Sequence, residues 1–208
     1  MIQQRTREQD KAHQKVKPLL RGWSHAIAAL ASIVLTVLLC WLSRGDIPRL
    51  LSMLIFGLSM IELYTVSAIY HIITWSAAKR RVLRSIDHAN IFILIAGTYT
   101  PLCFNILTGW VCFTLLVVVW LLALSGIGIS IFALNIPRRV TAALYIGMGW
   151  VVVLALPAFL AILPWTAVAT LILPTVWGYH EVFHLFVIAG SVAFAACVWI
   201  WALPFPRM

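Results

Sequence analysis

PWTAVATLILPTVWGYHEVFH, residues 164–184, is the stretch on which the architecture of this chain turns. Its first part, Pro164–Tyr179, is apolar but broken by Pro174, and it is only 16 residues long. As a helix it would measure about 24 Å at 1.5 Å per residue, short of the roughly 30 Å hydrocarbon core of a bilayer. If it crosses, the chain has seven spans, and His180 and His184 open the last one on the side where the second span ends. If it turns back, there are six and those histidines sit on the opposite face.

The rest of the chain is easier to read. Hydrophobic residues make up 63% of the 208 and charged residues 10%, with a mean hydropathy of +1.01. A soluble domain carries about a quarter charged residues, so there is too little polar surface here for a water-soluble globule. Six spans stand out at 23–43, 50–73, 86–107, 110–134, 140–163 and 183–203. The runs are continuously apolar rather than alternating, which excludes barrel strands. Trp23, Trp41, Trp75, Trp110, Trp165 and Trp199 fall near span ends, where an indole prefers the interface. With 164–179 as a short sixth span, the expected fold is all-α: a polytopic membrane protein with a seven-transmembrane helix bundle at 23–208. A basic N-terminal arm, residues 1–22, precedes it.

The net charge of +9 does not point to nucleic acid. No apolar run contains Lys or Arg. Six of the 15 lie in the N-terminal arm, Lys79, Arg80, Arg81 and Arg84 follow the second span, and Arg138 and Arg139 follow the fourth. With the arm in the cytoplasm, twelve lie inside against three outside, Arg44, Arg49 and Arg207. The expectation is a cell-membrane protein with a cytoplasmic N-terminus and an outer C-terminus. The arm has no early apolar core of the kind a cleaved signal peptide needs. Cys40, Cys103, Cys112 and Cys197, without CxxC spacing, read as small membrane-core residues.

Ionisable groups in a span are costly and mark a functional site by default. Glu62, Asp87 and Glu181 lie within or beside apolar runs, accompanied by His71, His88, His180 and His184. In the seven-span topology His71, Asp87, His180 and His184 all reach the cytoplasmic side. His180 and His184 are i and i+4, one helix face, and can grip one ion; Ser67 and His71 have the same relation. Three neutral imidazoles with an open fourth position make the ligand set of a catalytic zinc site, with Asp87 hydrogen-bonding a ligand or the metal's water. Bland readings are assigned to the others: His13 and His25 bond backbone carbonyls, His88 is interfacial or hydrogen-bonds a metal ligand, and Glu62 bonds between helices. HEVFH, 180–184, is also a literal HExxH, which would make Glu181 the base of an intramembrane protease. That reading leaves His71 without a role.

KPLLRGWSH (17–25), SAIYH (67–71), IDHANIFILIAGTYTPL (86–102), LYIGMGW (144–150) and HEVFHLFVIAGS (180–191) together resemble the hemolysin III family, bacterial relatives of the progestin and adipoQ receptors and, more distantly, of the alkaline ceramidases. The resemblance implies a seven-helix bundle with zinc near the cytoplasmic side, held by His71, His180 and His184, with Asp87 and Ser67 around the metal's water. It also implies that Glu181 is incidental. Two features depart from the family pattern: the contracted region 164–179, and Phe194 where relatives often carry a further His.

The leading expectation is a zinc-dependent hydrolase acting on a lipid acyl bond, an amide by preference, with a membrane lipid as substrate or ligand. Zinc acidifies water from a pKa of about 16 towards about 7; Asp87 would act as base and Ser67 would bond the water or the developing oxyanion. The competing expectations are a membrane sensor with a closed structural zinc site, a pore-forming cytolysin, and the HExxH protease.

Overall fold

The computed structural model describes residues 19–107, 109–132, 137–166 and 180–204. Every regular element among them is helical. Helix α1 is Leu19–Leu42, α2 Ile47–Ile72, α3 Ala77–Asn105 and α4 Gly109–Phe132; α5, Arg138–Trp150, runs through a 3-10 segment, Val151–Ala155, into α6, Leu156–Ile162. Helix α7, His180–Cys197, ends in a π turn, Val198–Ala202. The basic arm before Leu19 and residues 167–179 lie outside the described residues.

Four of these helical stretches are long and apolar enough to cross a membrane: Gly22–Leu42, Ile47–Ile72, Gly109–Phe132 and Val140–Ile162. Their outer faces are apolar, with Leu30, Val34 and Leu124 all at least 60% exposed. The interior holds Ser32, Thr36, Ser52, Ser59, Ser67, Asn90, Thr100, Asn105 and Ser191. An apolar exterior over a partly polar core is the arrangement lipid demands. Helix α3, predicted as a span over 86–107, is more polar than these four because it carries Asp87, His88, Asn90 and Asn105. It compensates by burial, with α2 and α4 packed against it.

Small residues set the helix spacing. A Cβ at Gly57 would overlap Thr36 of α1, one at Gly97 would overlap Ser59 of α2, and one at Gly126 would overlap the Phe92 ring. Close backbone approach of this kind replaces the hydrophobic drive that helices lack in lipid. The hydroxyls in the seams are satisfied locally: Ser32 donates to the Ala28 carbonyl and Thr36 to that of Ser32.

The helix ends differ from expectation in two places. Helix α3 starts at Ala77, well before the apolar run, because Ser76 opens a helix that the charged turn 79–84 can continue into water. The fifth span is interrupted at 151–155. Pro157 has no N–H to return to Val153, and the Tyr99 hydroxyl repairs the break. It lies 3.1 and 2.8 Å from the carbonyls of Met148 and Gly149 and accepts the Val152 N–H at 2.8 Å.

At one end of the bundle Arg49 ties three elements together. Asp46 caps α2 by accepting the Arg49 N–H. The Arg49 guanidinium donates to Asn105 Oδ1 at 3.2 Å and to the Leu203 carbonyl at 2.8 Å, while Asn105 Nδ2 donates to Ser52 and to the Pro101 carbonyl. Arg49, expected to be a simple topology charge, is a clasp joining α2, the end of α3 and the end of the chain's last helical stretch.

Candidate functional site at the His71 end of the bundle

Helix register places the candidate residues. Along α2, Arg49 meets Leu203, Phe56 meets Phe194 with ring centroids 4.9 Å apart, and the Tyr64 hydroxyl donates to Ser191 Oγ at 2.7 Å, with the Val187 carbonyl at 3.2 Å. As α2 advances, its partner on α7 retreats, so the two helices are antiparallel. His71 lies seven residues beyond Tyr64, and His184 and His180 lie seven residues before Ser191 and Val187. Seven residues is two turns, which returns nearly to the same face and advances about 10.5 Å. The backbone register therefore brings the His71 turn of α2 level with the first turns of α7.

The α2–α3 pairing gives the same level for the acid. Asn105 bonds Ser52, Gly97 abuts Ser59, and the Asp87 carboxyl acts on the Ser67 hydroxyl. Ser67 Oγ, 2% exposed, has no completed hydrogen bond. It stands beside the carboxyl without the geometry of a formed bond. On the far flank of α3 the Tyr145 ring packs on Phe92 at 4.5 Å, and its hydroxyl donates to the His88 carbonyl at 2.8 Å. This anchors the residue next to Asp87.

Helix α1 closes the site from the other side. A Cβ at Gly22 would strike Ile72 and crowd the Cβ of His71, so the turn carrying His71 is gripped between α1 and the Tyr70 ring, 4.7 Å from the imidazole. His25, 2% exposed, packs edge-on against Tyr64 at 5.3 Å. It belongs to the α1–α2–α7 core rather than to the ligand level.

The structure thus brings Ser67 and Asp87 together and sets His71 at the end of the same face as Ser67. Among the described residues no three His, Cys, Asp or Glu side chains form a metal cluster; the side chains of His180 and His184 lie outside the described set, though their helix does not. Glu62, expected between helices, is instead exposed. Three residues at this end carried no role in the sequence reading: Tyr145, Asn90 and Gly22. Only Asn90, a polar residue one turn after Asp87, gave a signal there.

Comparison with known proteins bears on the same residues. The family model described as "Haemolysin-III related" matches residues 13–177, which include Ser67, His71 and Asp87. A "Hemolysin-3 homolog" of Bacillus subtilis (strain 168) is 35% identical over 199 residues, 88% of this chain and 93% of that protein. A "Hemolysin-3" of Bacillus cereus is 30% identical over 197 residues, 87% of this chain and 90% of that one.

Proposed function

The chain belongs to the haemolysin-III-related family, and from that premise we propose that it is a membrane-embedded, zinc-dependent hydrolase that cleaves an acyl bond, by preference an amide, of a membrane lipid. The observation that carries this reading is the α2–α7 register, with Tyr64 on Ser191 and Phe56 on Phe194. Continued by two turns, it supports a reading in which the His71 turn of α2 and the first turns of α7 share one depth near Ser67 and Asp87.

The same register bears on the span count. Tyr99 touches Val152 and Phe92 touches Tyr145, so α5 and α6 run parallel to α3 and end towards Arg49. Helix α7 starts at the His71 end. An α6 that ends towards Arg49 and an α7 that starts at the other end support the seven-span reading. Charge bias puts the His71 end in the cytoplasm.

His71, His180 and His184 would hold the ion, a donor set of neutral nitrogen ligands that suits zinc. The fit is supported by the buried Ser67 hydroxyl, which completes no hydrogen bond of its own, and by the Asp87 carboxyl beside it. When bound, zinc supplies Lewis acidity for the acyl carbonyl and acidifies water. Asp87 receives the proton from the attacking water and passes it to the leaving amine. Ser67 donates to the carbonyl oxygen as it gains charge. The Tyr145 bond to the His88 carbonyl and the grip of Gly22 on the His71 turn keep these groups from drifting. The apolar walls exclude bulk water and accept an acyl chain from the lipid.

The test is hydrolysis of a short-chain fluorescent ceramide by purified protein in detergent. The reading expects cleavage that is lost in Asp87→Ala and after chelation, and restored by zinc. Zinc bound without any cleavage, across ceramide and phospholipid substrates, would leave a structural ion in a non-enzymatic protein and contradict it.

A further inference from the structure

Asn90 is 2% exposed, and its side-chain nitrogen is one of the few buried polar atoms in the described bundle with no hydrogen-bond partner. It is one turn from Asp87 on the same face of α3, where Cβ atoms stand about 5–6 Å apart. Gly97, two turns further along that face, abuts Ser59 of α2, so Asn90 looks at α2. The antiparallel pairing that sets Asn105 on Ser52 and Asp87 on Ser67 brings it level with the turn that holds Ser67. Ser67 Oγ is itself unpartnered and equally buried. Two buried donors from facing helices, Asn90 Nδ2 and the Ser67 hydroxyl, thus lie near one level close to the acid. Buried polar groups are nearly always paired, and an unpaired amide is a standing cost to stability.

We infer that Asn90 and Ser67 together form an oxyanion site, in which the Asn90 Nδ2 and the Ser67 hydroxyl both donate to one acyl oxygen of the ligand. The unpaired Asn90 atom is a donor only, so its partner must be an acceptor: a carbonyl oxygen gaining negative charge, or the carboxylate of the released fatty acid. This rests on the acyl-hydrolase reading above and adds its second oxyanion donor.

The experiment compares wild type with Asn90→Leu, the same branched shape without the donor, and with Asn90→Ala and Ser67→Ala as second variants. Three quantities are read: thermal unfolding in detergent with and without oleate, zinc content, and hydrolysis of a short-chain fluorescent ceramide. Oleate should raise the wild-type Tm and fail to do so in all three variants, with zinc content unchanged. Ligand-free Asn90→Leu should unfold at the wild-type temperature or above it, because an unpaired polar group has been removed. Its kcat should fall about 100-fold, the usual loss of one oxyanion donor, with KM changed less than about threefold. Absence of hydrolysis in wild type would end the hydrolase reading, while the oleate shift still decides this one. Equal oleate shifts in wild type and the Asn90 variants, no shift in wild type, or a clearly lower ligand-free Tm in Asn90→Leu would overturn the oxyanion site.

Discussion

Replacing Tyr64 with Phe removes a single oxygen from the contact that sets the depth of α7 against α2. The bond to Ser191 is short, 2.7 Å, and both residues are buried at 2% and 8% exposure. Side-chain hydrogen bonds between membrane helices average about 0.6 kcal/mol in double-mutant cycles and reach about 1.7. A bond this short and dry belongs in the upper half, near 1 kcal/mol of coupling. Each single variant then costs about 1 kcal/mol. In Ser191→Ala the Tyr64 hydroxyl keeps the Val187 carbonyl, 3.2 Å away, so its cost should be the smaller. Tyr64→Phe with Ser191→Ala should cost about 1 kcal/mol rather than 2, because both partners of one bond have gone. Reversible unfolding of the purified protein in mixed micelles measures all four corners of the cycle. Because the contact lies two turns above the histidines, zinc affinity should weaken in the singles as well. Strictly additive costs, with coupling under about 0.2 kcal/mol, would refute the register from which the site is built.

Asp87→Ala should abolish ceramide hydrolysis while Glu181→Ala leaves it close to wild type; the reverse pattern, read in the same assay, would favour the HExxH protease. Gly22→Val should push on Ile72 and the His71 turn, lowering zinc content by mass spectrometry more than it lowers Tm. Arg49→Met breaks two charge-assisted bonds at the far end and should cost about 2–3 kcal/mol in unfolding with kcat unchanged. Chelation should lower the Tm by several degrees through loss of a ligand bound only to the folded state, and zinc but not magnesium should restore it.

Four of the expected spans, those at 23–43, 50–73, 110–134 and 140–163, were legible because apolar runs are dictated by the bilayer and need no tertiary information. Their ends were less legible. Nothing local says that α3 continues through Lys79–Arg84, since a helix in water and a helix in lipid share one backbone geometry. The break at 151–155 was also hidden: Pro157 hinted at it, but the groups that repair it come from Tyr99, on another helix. The Arg49 clasp was unreadable for the same reason, because its partners Asn105 and Leu203 are remote in the chain. In the candidate site, residue types and i,i+4 spacing singled out Ser67, His71, Asp87, His180 and His184, but spacing along one helix cannot give depth relative to another. The α2–α7 register that bears on depth comes from Tyr64 and Ser191, which the sequence did not single out. Asn90 was passed over because an Asn beside an Asp reads as ordinary polarity until its nitrogen is found buried and unpaired.

Zinc stoichiometry of the purified protein, measured side by side for wild type, His71→Ala and His184→Ala, reaches the central claim most directly. Imidazoles from α2 and α7 sharing one ion predict about one zinc per chain in wild type and a large loss in both variants. Equal metal content in all three would contradict it.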